Sequence, residues 1–352
     1  MCAARSVATR DNLECLARAA VDGGRRLVGV SRLAGGSKKG VYRLAFDDGF
    51  TAVAYLWAGN ENYWPAGDDP ADPLSGASGV SLFEAAHREL DAAGVRTPRV
   101  YLIDRSGSRY PADVAVVEDV PGGNLKTLLD RDPQAAAFPL RRLAEALAAM
   151  HSRQSRRYGK VALVRDGGTA SGSSCEQVVL DRARTDLAEA ARRDLRIGGV
   201  EARLESVLDE LACRVRPRRE YRLIHGELGP EHLLLDRDGT LVIIDIEGLM
   251  FFDVEWEYAF LKIRFGKQYQ PLQRAGLDER RMALYTLAIC LSLVAGPLRL
   301  LDGDFPDRDG MISIVEATSG GHSPSCPGNK ASPAPGRARS PGRTERAGNP
   351  PP

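Results

Sequence analysis

Apolar and polar residues alternate in three short segments near the start of the chain, at 27–36, 41–49 and 50–57. A period of two residues is typical of strands that bury one face, because successive side chains point to opposite sides. The second segment ends in Asp47-Asp48-Gly49, a sequence that favours a tight hairpin turn. The pattern therefore predicts an antiparallel meander.

Helices and further strands are predicted around this meander. Residues 11–21 and 81–94 have helical periodicity, and the second of these helices is predicted to end at Gly94. Residues 95–104 and 113–120 contain the β-branched residues typical of strands. The first part of the chain is thus predicted to be rich in strands.

The pattern becomes mainly helical after Pro121-Gly122-Gly123. Helical periodicity is found at 125–130, 140–153, 176–194, 200–215 and 254–300. A strand at 219–228 and a hairpin that turns at Asp238-Gly239 lie among these helices. Strands followed by helices predict an α+β fold with two lobes, an N-terminal antiparallel sheet and a mainly helical C-terminal lobe.

The predicted domains are an N-terminal lobe at residues 1–118, a C-terminal lobe at 119–317 and a tail at 318–352. The tail contains eight Pro, six Gly and five basic residues against one acid. It also has no large aliphatic residue, so it cannot bury a core of its own. We expect the tail to be disordered.

Composition narrows the choice of partners. The hydrophobic share of 43% and the charged share of 27% are typical of globular domains. A net charge of +1 gives no electrostatic reason to expect a nucleic acid or a membrane surface as partner. The apolar run at 283–298 is short for a membrane span and is interpreted as a buried helix. Six scattered cysteines without a CxxC pair predict free thiols and a cytoplasmic location.

The chemistry is concentrated in HGELGPEHLLLD at 225–236 and VIIDIEG at 242–248. Phosphoryl transfer needs a carboxylate near the attacking hydroxyl, ligands for a metal ion and donors for the phosphate oxygens. Glu227 lies on the predicted loop, His232 follows five residues later, and Asp245 ends the next strand. The hairpin between them is expected to bring Asp245 back beside the loop.

These residues resemble the aminoglycoside phosphotransferase-like kinases, relatives of choline kinases and protein kinases. The family pattern is His-Gly-Asp-Leu, three residues, Asn, a hydrophobic strand and Ile-Asp. Four other segments resemble the family in the expected order, and the resemblance covers roughly residues 27–300. They are the phosphate-covering loop at 33–46, the helix before the fifth strand, the hinge at 115–125 and the helix at 143–152 that ends in Met-His.

The resemblance implies a bilobed protein-kinase-like fold, ATP and Mg²⁺ as cofactors, and a small-molecule hydroxyl as the acceptor. It implies metal contacts from Asp245 and His232, and a catalytic loop that contains Glu227 and His225, the latter bracing the backbone. The implied nucleotide-binding residues lie in the phosphate loop and the hinge: Gly36, Ser37, Lys38, Lys39, Gly40, Val117, Glu118, Asp119 and Val120.

Three positions depart from the family pattern. Glu227 replaces the catalytic Asp and extends the carboxylate by one methylene, and a misplacement of about 1 Å can slow catalysis about a hundredfold. His232 replaces the metal-binding Asn, although Mg²⁺ prefers oxygen ligands. Tyr55 stands where the family has a basic residue on the third strand.

The departures leave alternatives open at the same site. Lys38 or Lys39 is a candidate source of the missing positive charge. Glu247 or Glu231 is a candidate for a second oxygen ligand near the metal. Without the basic residue of the third strand, the acid of the helix at 81–94, Glu84 or Glu89, is expected to lack the ion-pair partner that is usual in the family.

The segment 251–266 is interpreted as a core helix. Asp253 is expected to brace the catalytic loop, while Glu255 and Glu257 are expected to face outward or toward a cationic acceptor. His151 is interpreted as a packed residue at the end of its helix. The preferred function is ATP-dependent phosphorylation of a small-molecule hydroxyl. The alternative is a pseudokinase that binds a nucleotide, a ligand or a protein without catalysis.

Overall fold

The computed structural model describes residues 5, 7–21, 24–65 and 69–320. The N-terminal lobe is one antiparallel sheet of five strands with a helix on each side. Its elements are α1 (Arg10–Ala20), β1 (Leu27–Arg32), β2 (Gly40–Phe46), β3 (Thr51–Trp57), α2 (Val80–Ala92), β4 (Val100–Asp104) and β5 (Asp113–Glu118). The strands lie in the order β1-β2-β3-β5-β4. The predicted meander and the two later strands are therefore confirmed.

The C-terminal lobe is mainly helical. It begins with α3 (Leu125–Arg131), α4 (Ala137–Ser152), β6 (Gln154–Ser155), β7 (Gly159–Lys160), α5 (Val161–Arg165), α6 (Cys175–Arg193), α7 (Leu195–Gly198) and α8 (Glu201–Ala212). It continues with β8 (Tyr221–Ile224), β9 (Leu233–Leu235), β10 (Leu241–Ile243), β11 (Met250–Phe252), α9 (Val254–Phe265), α10 (Glu279–Asp302) and α11 (Arg308–Ser319). The α+β class and the two-lobed arrangement are confirmed.

Strand β3 is buried on both faces, which explains its nearly continuous apolar sequence. Ala54 and Leu56 belong to the core that the sheet forms with α1. Val53 and Tyr55 belong to the large core that continues into the C-terminal lobe. Tyr55 thus lies on the side of the sheet that faces the other lobe.

The connector between the lobes is bound to the β9–β10 hairpin. The amide N–H of Gly122 donates to the carbonyl of Leu235 at 2.9 Å, and the Leu235 N–H donates to Gly123 at the same distance. A Cβ atom on Gly122 would lie 2.3 Å from the Leu235 carbonyl oxygen, so only glycine permits this approach. The hairpin is thereby fixed to the chain that leaves β5.

Several details differ from the sequence predictions. The short strands β6, β7 and β11 were not predicted, because segments of two or three residues carry no measurable periodicity. Helix α11 includes Thr318 and Ser319, which were assigned to the tail. The remainder of the predicted disordered tail, at 321–352, lies outside the described residues.

Helix α10 is the one described helix long and apolar enough to cross a membrane, but 72% of its apolar window is buried inside the protein. Its interpretation as a core helix is confirmed. Cys15, Cys175 and Cys213 are free thiols, as expected. Cys290 is disulfide-bonded, so the expectation of a free thiol is wrong at that position.

Candidate active site

The loop that follows β8 begins with a tight approach between two backbone segments. Gly226 has a φ of 95°, a conformation that favours glycine. A Cβ atom there would lie 3.0 Å from the Met250 side chain. The sequence His225-Gly226 therefore allows the loop to turn directly against β11.

The carboxylate of Glu257 stabilises the backbone of this loop on its buried side. This carboxylate is fully buried and accepts the backbone N–H of His225 at 2.5 Å, together with the N–H groups of Gly226 and Leu228. Burial raises the pKa of Glu257 to about 7, although these hydrogen bonds oppose the rise. The indole of Trp256 adds a 2.8 Å hydrogen bond to the Gly226 carbonyl.

The prediction for the acidic residues of α9 is therefore wrong. Glu255 and Glu257 have exposed fractions of 1% and 0%, so neither forms an acidic face for a cationic acceptor. Glu255 instead binds both terminal nitrogens of Arg218, each at 2.7 Å. The helix is surrounded by protein from Val254 to Leu261, and its carboxylates bind buried backbone and guanidinium groups.

Asp253 does not take the bracing role that was expected of it. Its carboxylate accepts hydrogen bonds from Arg281 and from the hydroxyl of Tyr285, the latter at 2.5 Å. These partners belong to α10, which lies beneath α9. Asp253 therefore joins two helices of the C-terminal lobe, and Glu257 supports the loop.

His225 connects the loop to the strand that precedes Asp245. Its Nε2–H donates to the carbonyl of Ile244 at 3.0 Å, and its ring stacks on His232 with centroids 5.7 Å apart. Burial and the neighbouring His232 lower the pKa of His225 to about 4, so its imidazole is neutral near pH 7. These contacts are those of a bracing side chain.

Asp245 has an unusual backbone conformation. Its φ of 60° makes it the single non-glycine residue with positive φ in the described part of the chain. Such strain is held only where the surroundings fix the backbone, and it is common at functional sites. The adjacent Ile244 supplies this constraint, because its N–H donates to the His232 carbonyl at 3.0 Å while its own carbonyl accepts from His225.

Lys39 reaches from the start of β2 to the carboxylates beyond β10. Its ammonium lies 2.8 Å from Asp245 Oδ1 and 2.5 Å from Glu247 Oε1, and 5.3 Å from the centre of the Tyr55 ring. Burial disfavours the charged ammonium, but the two carboxylates offset it and raise the pKa of Lys39. The ammonium in turn holds the pKa of Asp245 well below its usual range.

The structure separates the two lysines that the sequence left as alternatives. Lys38 points to the Trp64 ring, with its ammonium 5.2 Å from the ring centre. The Trp64 indole donates to the Ser37 hydroxyl at 2.9 Å, so the loop is attached to the segment after β3. Lys39 is therefore the lysine that lies in the candidate site.

Glycines allow this loop to fold closely on itself. A Cβ atom on Gly36 would lie 2.5 Å from the Lys39 carbonyl oxygen, and one on Gly40 would lie 2.7 Å from the Glu61 carboxyl carbon. Both distances are shorter than a side chain tolerates. The glycines thus permit the conformation that brings Lys39 to the carboxylates.

The acids of α2 have partners other than strand β3. Glu89 is buried and accepts from Arg153 and Arg165, which belong to the C-terminal lobe. Glu84 pairs with Arg88 and Arg105. As expected, neither acid is paired with a base of the third strand, and arginines elsewhere supply the charge.

Glu227 and His232 lie on the open side of the loop. The Glu227 side chain is exposed, and its backbone carbonyl accepts the Nδ1–H of His232 at 3.1 Å. This tautomer leaves the Nε2 lone pair of His232 free, 3.8 Å from Asp245 Oδ2. Glu231, the other suggested oxygen ligand, forms an ion pair with Arg264.

A metal ion implied by the family fits this donor set in part. About half of the Asp245 side chain is exposed, at 51%, so one carboxylate oxygen remains accessible beside the His232 nitrogen. Among the described residues, no three His, Cys, Asp or Glu side chains are grouped closely enough to enclose a metal by themselves. Mg²⁺ commonly takes one or two protein ligands and completes its shell with water and phosphates, and it prefers oxygen to imidazole.

The predicted hinge lies after β5, where its side chains are engaged with the protein. Val117 and Val120 are buried. Glu118 binds Arg96 at 3.0 Å, and Asp119 binds Arg43 at 2.6 and 3.0 Å. The predicted contact with adenine is therefore left to the backbone groups at 117–120.

The structure brings together Lys39, His225, His232, Asp245 and Glu247, and it places Glu227 beside them on the same loop. Sequence reasoning missed the supporting role of Glu257. The available signal was a glutamate within the largely apolar EWEYAFL, where an unpartnered carboxylate would be unfavourable.

The family model described as the phosphotransferase enzyme family matches residues 71–286, which is more than half of the chain. No curated protein sequence matches the chain.

Two solved structures illustrate the shared fold. The structure of spectinomycin phosphotransferase APH(9)-Ia in complex with ADP and spectinomycin has a TM-score of 0.63 at 12% identity, over 91% of this chain and 96% of that one. The ternary complex of a thermostable APH(4)-Ia mutant with AMP-PNP and hygromycin B has a TM-score of 0.59 at 16% identity, over 89% and 98% of the two chains. Identities this low establish the common kinase-like fold alone.

Proposed function

Because this chain belongs to the phosphotransferase enzyme family, we propose that it transfers a phosphoryl group from ATP to a hydroxyl of a small molecule. The observation that carries the proposal is the contact between Lys39 and Asp245 at 2.8 Å. Through this contact, a lysine of the N-terminal lobe lies beside an aspartate of the C-terminal lobe. Lysine commonly binds phosphate, and aspartate commonly binds metal ions. Phosphoryl transfer requires both at the nucleotide phosphates.

The nucleotide is assigned to the cleft between the lobes. Two structures with the same fold were solved with ADP and with AMP-PNP, which supports a nucleotide in this chain as well. The glycine loop at 36–40 covers the phosphates in this proposal, and the backbone at 117–120 meets the adenine. Lys39 exchanges its carboxylate partners for phosphate oxygens when the nucleotide binds.

Asp245 and His232 would hold Mg²⁺ next to these phosphates. When bound, the metal ion neutralises part of the negative charge on the transferred group. The strained backbone of Asp245 fixes the direction of its carboxylate, since His225 holds the preceding carbonyl. The unprotonated Nε2 of His232 lies on the same side, with a nitrogen where Mg²⁺ favours oxygen.

Glu227 is proposed to orient the acceptor hydroxyl and to accept its proton. Its side chain is exposed, and the backbone of its loop is fixed by Glu257 and Trp256. A rigid loop is needed because a proton acceptor has to lie within hydrogen-bond distance of the hydroxyl. The additional methylene of Glu relative to Asp places this hydroxyl slightly farther from the loop.

A pseudokinase is the second candidate function, and one observation favours it. Lys39 neutralises Asp245 and Glu247 at once, with N–O distances of 2.8 and 2.5 Å. A site whose carboxylates are already paired with a buried cation has less need of a metal ion. A protein of this kind would bind a nucleotide or a ligand without responding to Mg²⁺.

Thermal unfolding with ATP, with Mg²⁺ and with both distinguishes the two functions. A ligand that binds the folded state raises the unfolding midpoint by mass action. We expect the largest rise with ATP and Mg²⁺ together, and its loss in Asp245→Ala. Release of ADP in the presence of hydroxyl acceptors, abolished in Glu227→Gln, would establish transfer. A rise with ATP that ignores both the metal and the Asp245 variant would favour the pseudokinase.

A further inference from the structure

A second polar pocket lies in the C-terminal lobe, apart from the loop that carries Glu227. It has a volume of about 400 Å³ and is bordered by α4, α9, the start of β8 and the segment at 272–274. Small-molecule sites commonly have volumes of about 300–1,000 Å³. The residues that decide its chemistry are His151, Arg222, Tyr258 and Arg274, and no lining residue is acidic.

His151 lies at the wall of this pocket and binds Arg274 through its ring. The side chain is 2% exposed, and its Nδ1 accepts from Arg274 Nη1 at 3.3 Å. The proton therefore lies on Nε2, which has no hydrogen-bond partner. Burial, with the charges of Arg274 and Arg222, lowers the pKa of His151 to about 3, so the ring is neutral. Nε2 itself is shielded from the pocket, so the ring acts on a ligand only by holding the Arg274 guanidinium.

Two guanidinium groups lie around this imidazole without an acid to balance them. Arg222 donates to the His151 carbonyl at 3.2 Å, and Arg274 reaches the ring nitrogen. Neither arginine forms an ion pair with any carboxylate in the part of the chain that the structure describes. By contrast, two other arginines of the same lobe are paired with buried acids. Arg218 binds Glu255, and Arg281 binds Asp253.

The pocket is separate from the candidate active site. Arg222 lies near the beginning of β8, whereas His225 follows the last residue of the strand. Three residues of an extended strand correspond to about 10 Å. The pocket and the catalytic loop are therefore at opposite ends of one strand.

We propose that this pocket binds a small oxyanion, the phosphate or carboxylate group of a metabolite. The guanidinium groups of Arg222 and Arg274 supply charge-assisted hydrogen bonds, and His151 holds Arg274 in place through its ring nitrogen. Ala148 and Leu272 contact the carbon part of the ligand. The inference is independent of the reaction proposed for the other site.

Calorimetric titration of the full chain tests this proposal with two probes, inorganic phosphate and succinate, at a constant ionic strength set with KCl. We expect one of the probes to bind, with a Kd at least tenfold weaker in Arg274→Gln and in His151→Phe. Binding of phosphate alone identifies the group as phosphate, and binding of succinate identifies it as carboxylate. Failure of both probes to bind would overturn the proposal.

Two further variants test whether the anion binds in this pocket rather than elsewhere on the protein. Arg192→Gln removes an exposed arginine of α6 outside the pocket and is expected to leave the Kd unchanged. Lys39→Met removes the candidate phosphate ligand of the active site and is also expected to leave it unchanged. Loss of binding in Lys39→Met with retention in Arg274→Gln would assign the anion to the active site instead. Since Arg274 is exposed, its replacement does not endanger folding.

Discussion

The two faces of the loop after β8 differ in how much the surrounding protein fixes them. On the buried face, Glu257 receives three backbone N–H groups and Trp256 binds the Gly226 carbonyl. On the open face, Glu227 is exposed, and the His232 ring makes one hydrogen bond and stacks on His225. In this loop, Glu227 and His232 depart from the family pattern, and both lie on the open face.

The difference has a physical cause. A buried backbone donor that loses its acceptor is unfavourable by about 1–3 kcal/mol, so the buried face tolerates little change. An exposed carboxylate or imidazole can be replaced without leaving such a group unpaired. The fold of the loop is therefore maintained by one set of residues, and its chemistry depends on another.

Replacement of Glu257 by Ala is expected to have the largest effect. Three N–H groups would lose their acceptor in a buried position, and the free energy of unfolding should fall by about 3–5 kcal/mol. Urea denaturation measures this change. Glu257→Gln is the matched control, because an amide oxygen still accepts hydrogen bonds, and it should lower the free energy by about 1 kcal/mol. Equal losses in both variants would contradict the bracing role.

The lysines of the glycine loop provide a second test, of the side chains on which the proposed chemistry depends. Lys39→Met should weaken ATP binding by about tenfold to a hundredfold, because it removes a charge that the proposal places at the phosphates. Lys38→Met should change binding by less than about threefold, since Lys38 lies against Trp64. Titration of each variant with ATP compares them. A larger effect from Lys38 would assign the phosphate contact to the other lysine.

The pH dependence of stability reports on His225. Its folded pKa of about 4 is below the ordinary value of 6.5, so the folded state excludes a proton that the unfolded state binds in this range. The stabilisation is complete above pH 6.5 and is lost as the pH falls toward 4. His225→Gln keeps a donor for Ile244 but does not titrate.

Wild type should therefore lose about 2–3 kcal/mol more than His225→Gln between pH 7 and pH 4.5, as measured by urea unfolding at the two values. Glu257 has the opposite effect on stability as the pH falls. Its pKa is raised to about 7, so its protonation in this range favours the folded state. Both proteins contain Glu257, and the difference between them isolates His225. An identical pH profile would show that His225 titrates normally.

The order of strands and helices could be predicted because periodicity is a local property of the sequence. The meander of β1 to β3 and the long helices α4, α6 and α10 appear where the pattern indicates them. The roles of Glu257 and Asp253 could not be predicted, because both lie near the start of one helix and their partners come from distant segments. Sequence spacing identifies a charged residue but not the buried group that it satisfies.

The same limit applies to Lys39. Both lysines of the loop satisfy the sequence argument, and only their neighbours Trp64 and Asp245 distinguish them. The partners of Glu89 could not be predicted for the same reason, since the two arginines that bind it come from the other lobe. Long-range ion pairs thus decided the points on which the sequence left alternatives or gave a wrong expectation.

His232→Asn is expected to have the smallest effect and tests whether the open face can change its metal preference without affecting the fold. An amide oxygen in place of Nε2 should strengthen the Mg²⁺-dependent part of ATP binding by about threefold to tenfold, because Mg²⁺ prefers oxygen. His232→Ala, which supplies no ligand, should not show this gain. The free energy of unfolding should change by less than about 1 kcal/mol in the Asn variant, since a half-buried imidazole with one hydrogen bond contributes little. Stronger Mg²⁺-dependent ATP binding in both variants would show that His232 obstructs the metal position. Unchanged binding in both would show that His232 takes no part in metal binding.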